Sequence, residues 1–169
     1  ILMTSVGGYL PERVVTNQDL SATVDTSDER IRQRTGITQR HIVAEGEKTS
    51  DLAFNAATQA LERANLKGSD IDLIVIATST PDDTFPSTAT RVQHMLGAQQ
   101  AIAFDVQAVC AGFIYAVDVA DAMFMGFDIP EAFIHKSKDR TSVCVIGGKD
   151  PVTLSEKIEA TIQQFPDHA

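Results

Sequence analysis

The stretch Ile71-Asp-Leu-Ile-Val-Ile-Ala77 restricts the folds open to this chain more than any other. Apart from Asp72 it is apolar throughout, so a strand made from it has two faces to bury and none to give to water. Such a strand belongs inside a parallel sheet with helices on both sides, because each parallel connection crosses back over a face of the sheet. The flanking sequence supplies those helices. Upstream, Ser50 opens an amphipathic pattern with Leu52, Ala53, Ala56, Ala57, Ala60, Leu61 and Ala64 on one stripe. Downstream, a polar loop containing Pro81 leads to Pro86 and Ser87, which start a helix through Val92, Met95 and Leu96 that Gly97 stops. Ala101 to Val106 reads as a second buried strand, followed by an Ala-rich helical run from Ala111 to Phe124. Strands alternating with helices predict a layered α/β fold around a parallel sheet.

The front of the chain is more mixed. Ile1, Leu2, Met3 and Val6 before Gly7-Gly8 predict a strand ending in a turn that Pro11 closes. Asn17 is placed to cap a short helix over 19–24. Thr26-Ser-Asp-Glu29 has the capping-box pattern and opens a helix that ends near Gly36. Ile37 to Val43 predicts a strand, with His41 a surface or packing residue. Beyond Gly126 the periodicity fades until Thr141-Ser-Val-Cys-Val-Ile146, a short strand before Gly147-Gly148. Thr153-Leu-Ser-Glu156 opens a last helix carrying Leu154, Ile158, Ile162 and Phe165 on one face.

Composition narrows the function classes. The 169 residues suffice for one domain with a core, and the start at Ile1 rather than Met reads as a trimmed front. A net charge of −9 argues against nucleic acid as a partner. No apolar run is long enough to span a membrane. Cys110 and Cys144 make no disulfide framework, which favours a cytoplasmic setting. The four histidines, at 41, 94, 135 and 168, have no metal-ligand spacing.

Chemistry concentrates at Cys110. It falls where the strand ending at Val106 turns into a helix, beside the small residues Ala111 and Gly112. The first turn of a helix has unpaired N–H groups and a positive dipole end, which favour a thiolate and can hold the oxygen of an acyl adduct. A lone cysteine in an apolar stretch is otherwise most often structural. The second feature is a basic helix with Arg30, Arg32 and Arg34, and Arg40 beyond it. It is either a solvated face or a patch whose guanidinium forks match phosphate oxygens.

Gly8-Tyr-Leu-Pro11, Asp25-Thr-Ser-Asp-Glu29, Arg34-Thr-Gly-Ile37, Arg40-His-Ile42, Ile74-Val-Ile-Ala-Thr-Ser-Thr80, Phe85-Pro-Ser87, Phe104-Asp-Val106 and Cys110-Ala-Gly-Phe113 resemble one family in order and spacing. That family is β-ketoacyl-acyl-carrier-protein synthase III, the thiolase-fold condensing enzyme that starts bacterial fatty-acid synthesis. The resemblance implies a thiolase-like α/β/α fold with a parallel-rich sheet, incomplete at about half of the usual duplicated arrangement. Residues 1–127 would form the N-terminal half with its nucleophile elbow, and 128–169 a divergent or truncated C-terminal segment.

The resemblance further implies that Cys110 takes an acyl group, usually acetyl, from coenzyme A. The acyl-enzyme then condenses with decarboxylating malonyl-carrier protein. A short acyl-coenzyme A is a substrate here, with no permanently bound cofactor or metal. Thr26 and Arg34 match coenzyme A contacts, Arg140 matches a further one faintly, and Phe85 matches the residue that shapes the acyl pocket across a dimer interface. The implied partners are acyl-carrier protein and a second copy of the chain, with neither membrane nor nucleic acid. Where the family stacks a tryptophan on the adenine, this chain has Arg30, which can itself stack on a purine.

The family's catalytic His and Asn come from a later half, and neither motif occurs in these 169 residues. The residues given are therefore expected to accept an acyl group without condensing it. The alternative is a truncated, non-catalytic remnant that binds acyl groups, coenzyme A or a partner subunit. A third reading, an unrelated thiol hydrolase pairing Cys110 with one of the histidines, has no spacing behind it.

Overall fold

The computed structural model describes residues 3–125 and 142–146. Arg140, the stretch from Asp128 to His135 and the helix expected after Thr153 lie outside the described residues. The described chain forms two compact units, one from residues 10–47 and the other from 3–9, 48–125 and 142–146.

The smaller unit runs through β1 (Arg13–Thr16), α1 (Asn17–Ser21), α2 (Asp28–Thr35) and β2 (Gln39–Ile42). β1 and β2 pair antiparallel, with Arg13 opposite Ile42 and Thr16 opposite Gln39. Two strands alone are marginal in water. What fixes this unit is a buried polar node rather than an apolar core. Asn17 is 1% exposed, and its Nδ2 donates to Asp28 Oδ1 and to the Ile37 carbonyl, each at 2.7 Å. Its Oδ1 accepts from Arg40 Nη2 at 2.7 Å.

Asn17 is therefore not the cap that its position suggested. Thr16 caps α1, and Asp19 completes a capping box by accepting from the Thr16 N–H at 2.8 Å. The Thr16 hydroxyl, and then its N–H, hold the Asp19 carboxyl below its ordinary pKa. α2 is capped by Ser27, one residue later than the box drawn from Thr26, and ends at Gly36 with φ 74°.

In the larger unit the strand expected over 1–10 does not form among residues 3–10. This segment lies along α3 (Thr49–Ala64) and takes its polar partners from that helix. Ser5 donates to the Ala60 carbonyl at 2.8 Å, Gly8 N–H to Gln59 Oε1 at 2.9 Å, and Arg63 to the Val6 carbonyl at 2.8 Å. Gly7 permits the approach, since a Cβ there would sit 2.0 Å from the Ala56 carbonyl oxygen. Helix contacts thus satisfy the backbone that a strand ladder would otherwise have paired.

α3 starts one residue ahead of Ser50, with Lys48 at the N-cap position and the Asp51 carboxylate accepting its N–H. β3 (Leu73–Ala77), α4 (Thr88–Leu96), β4 (Ile102–Val106), α5 (Gly112–Met125) and β5 (Ser142–Ile146) complete the unit. The sheet is parallel in the order β4-β3-β5, with Ala77 level with Val106 and Ile146 at its C-terminal edge.

β3 is buried at every position, as its sequence requires. Ile74 and Ile76 pack with Ala53, Ala57 and Leu61 of α3 and Ala89 and Val92 of α4. Leu73, Val75 and Ala77 pack on the other face with Ala116 and Ala120 of α5. At roughly 1.5–3 kcal/mol for each large side chain fully buried, this strand alone contributes on the order of the net stability of a domain. β4, by contrast, is half-buried throughout rather than buried, because it has one strand neighbour among the described residues.

Candidate active site at the C-terminal edge of the sheet

Among the described residues two loops leave the C-terminal edge, 78–87 after β3 and 107–111 after β4. In open α/β sheets this edge is where ligands bind. A hydrogen bond from Thr78 N–H to the Val106 carbonyl, at 3.1 Å, carries the ladder one step past the strands and fixes where the loops begin.

The second loop carries Cys110. Val109 has φ 45°, a left-handed conformation that a β-branched residue rarely adopts, and it is 75% exposed. Strain of that kind costs on the order of 1–3 kcal/mol and persists only where its surroundings impose it. A 3-10 turn, Val109–Ala111, follows and leads directly into α5. Cys110 stands in that turn as a free, exposed thiol. Ala111 N–H donates to the Ala108 carbonyl at 2.9 Å and Gly112 N–H to Val109, so the two amides after Cys110 are already committed. Gly112 lets the helix start lie close against β3, since a Cβ there would meet Ala77 Cβ at 3.0 Å. The small residues after the cysteine thus serve helix–strand contact as well as access.

The first loop is pinned at both ends by carboxylates that sequence reasoning did not single out. Asp105, the one charged residue in the apolar run of β4, accepts from the N–H groups of Thr88 and Ala89, each at 2.8 Å. Ser87 Oγ takes the next donor, Thr90 N–H, so the first turn of α4 has its free amides satisfied. Asp82 accepts from Ser50 N–H at 3.0 Å in the first turn of α3. Arg91 lies over this loop, bonded to Asp83 and 3.9 Å from Asp82. Among the described residues Asp82 Oδ2 and Arg91 Nε have no hydrogen-bond partner. Between these anchors Phe85 stands 88% exposed. A carboxylate inside an otherwise apolar strand was the available sign of Asp105, since it needs a buried partner of its own.

The basic helix belongs to the smaller unit. Arg30 and Arg34, four residues apart, share one face of α2, are exposed, and have no hydrogen bond or ion pair among the described residues. Arg32 points elsewhere and is paired to Asp28 at 3.2 Å. Thr26 is half-buried in the turn before α2, where its N–H donates to the Val24 carbonyl at 2.7 Å. Among the described residues no helix is long and apolar enough to cross a membrane.

The carboxylate of Asp105 should matter to stability even though its residue is not fully buried. Asp105→Ala leaves two first-turn amides without an acceptor and should cost about 2 kcal/mol. Asp105→Asn, which can accept only one of them, should cost about half of that. Urea denaturation midpoints check both, and unchanged midpoints would remove Asp105 as the anchor of α4.

No family model matches the chain. Among curated proteins, β-ketoacyl-acyl-carrier-protein synthase III of Xylella fastidiosa is 60% identical over 99% of this chain and 55% of its own length. The protein of the same name from Paramagnetospirillum magneticum is 58% identical over 76% of this chain and 40% of its own. The chain spans about half the length, or less, of the curated relatives it matches.

Solved structures agree with this. The 3-oxoacyl-acyl-carrier-protein synthase III of Aquifex aeolicus superposes with a TM-score of 0.69 at 50% identity, over 72% of this chain and 39% of that one. A priming β-ketosynthase of a polyketide biosynthetic pathway gives 0.74 at 31% identity, over 87% and 41%. In sequence and in thiolase-like fold, the chain belongs with the N-terminal half of the β-ketoacyl-acyl-carrier-protein synthase III family.

Proposed function

We propose that Cys110 is the acyl acceptor of a β-ketoacyl-acyl-carrier-protein synthase III and that the protein takes part in starting fatty-acid synthesis. The observation that carries this reading is the exposed Cys110 thiol directly after the strained Val109, at the C-terminal edge of a parallel sheet. Strain is tolerated where a side chain has to be held out for reaction. In the proposed step the Cys110 sulfur attacks the carbonyl carbon of an acyl-coenzyme A. A new thioester forms, the bond to the coenzyme A sulfur breaks, and the proton of the Cys110 thiol ends on the released coenzyme A.

The same reading gives the rest of the molecule its tasks. Arg30 and Arg34, exposed and uncommitted among the described residues, are suited to coenzyme A phosphates and the adenine ring, with Thr26 beside them in sequence. Arg140 is carried by the family match alone. Phe85 and the start of α5, where Phe113, Ile114 and Tyr115 are exposed, offer apolar surface of the kind that meets further protein. That surface supports a homodimer in which Phe85 shapes the acyl pocket. Acyl-carrier protein is the proposed receiver of the acyl chain. The free thiol fits a reducing compartment, and we place the reaction in the cytoplasm.

Mixing the protein with acetyl-coenzyme A should release free coenzyme A in a burst approaching one equivalent, and Cys110→Ser should show none. A burst that survives in Cys110→Ser would overturn the assignment.

The two kinds of arginine on α2 should also separate. Arg34→Ala should weaken coenzyme A binding by about tenfold, the worth of one charge-assisted contact. Arg32→Ala should change it little, because Arg32 is held by Asp28 and points about 200° away. Titration of coenzyme A at two salt concentrations reads this, and equal losses in both variants would leave only a diffuse charge effect.

A further inference from the structure

Asn17 has no part in the chemistry proposed above, yet its side chain is bonded at both polar atoms. It is 1% exposed; both of its amide donors and its carbonyl oxygen are used. The two groups that it donates to stand at opposite ends of α2. Asp28 is the first residue of that helix, and Ile37 follows the Gly36 that ends it. The third bond runs to Arg40 on β2.

α2 needs such a tie. It has only eight residues and none of them is fully buried; Ile31, half-buried, is its one apolar anchor. Helices this short are not stable by propensity, and most draw their stability from a packed face. Here one buried amide joins both ends of the helix to the strand beneath. Asp28, which Asn17 holds, also binds Arg32 at 3.2 Å, so the same node takes one arginine out of play and leaves Arg30 and Arg34 on the open face.

We propose that Asn17 is the positioning residue of the coenzyme A-binding helix: it touches no ligand, and it sets the place and direction of the Arg30–Arg34 face. The inference rests on the reading of α2 as a coenzyme A contact, and the test separates the two. Coenzyme A is titrated calorimetrically into the full chain, into Asn17→Ala, into Arg34→Ala and into the double variant, at low and high salt. The titration reads the fraction of protein able to bind separately from the dissociation constant. Positioning predicts that Asn17→Ala keeps its binding fraction, weakens affinity by about tenfold and flattens the salt dependence, as loss of a phosphate contact does. It also predicts that the double variant binds hardly worse than Arg34→Ala, because both changes remove one interaction.

A lower binding fraction with an unchanged dissociation constant would make Asn17 merely structural and overturn the proposal. So would unchanged binding in Asn17→Ala beside a clear loss in Arg34→Ala. No loss in Arg34→Ala would sink the coenzyme A reading of α2 and the inference with it. Should Asn17→Ala fail to fold, Asn17→Ser, whose hydroxyl can donate to only one of the two acceptors, takes its place with the same expected signs.

Discussion

The larger unit depends on the burial of β3 on both faces. A strand of Leu, Ile, Val, Ile and Ala has no face for water, so helices must cover it from both sides, and α3 with α4 on one side and α5 on the other do so. That requirement fixes more than stability. Parallel strands bring the ends of β3, β4 and β5 to one edge, and the loops leaving that edge carry Phe85 and Cys110. The place of the candidate chemistry is thus a consequence of how one strand is covered.

What the core does not fix, two bonded carboxylates and one buried amide do. Asp105 joins the end of β4 to the first turn of α4, and Asp82 joins the loop after β3 to the first turn of α3. Both exploit the unpaired amides of a helix start, which accept a negative charge well. Asn17 does the corresponding work for α2, whose apolar anchorage is slight. The loop that carries Phe85 and the helix that carries Arg30 and Arg34 are therefore each held by polar bonds to a neighbouring element. This suits parts that must present exposed side chains such as Phe85, Arg30 and Arg34 while their own backbone stays fixed.

The sequence announced the parts governed by periodicity. β3, α4 with its Ser87 and Gly97 caps, the strand before Cys110 and the helix after it follow from apolar spacing and from capping residues whose chemistry is local. It misled where a tertiary partner overrode a local preference. Residues 3–10 look like a strand until Gly7 lets them lie on α3. Asn17 looks like a cap until its amide proves to be taken by Asp28, Ile37 and Arg40, which lie 11 to 23 residues away. Ser50 likewise yields the cap position to Lys48. The strand-to-helix position of Cys110 was legible because its signal, an apolar strand running into small residues and a helix, is a local one. The anchoring roles of Asp105 and Asn17 were not, because their partners are set only by the fold.

The central claim is that Cys110 accepts the acyl group. The most direct measurement is peptide mapping by mass spectrometry after brief exposure to acetyl-coenzyme A and acid quenching, which preserves thioesters. The account predicts one acetyl group on the peptide containing Cys110 and none on the peptide containing Cys144. Acetyl on Cys144 with Cys110 unmodified would contradict it.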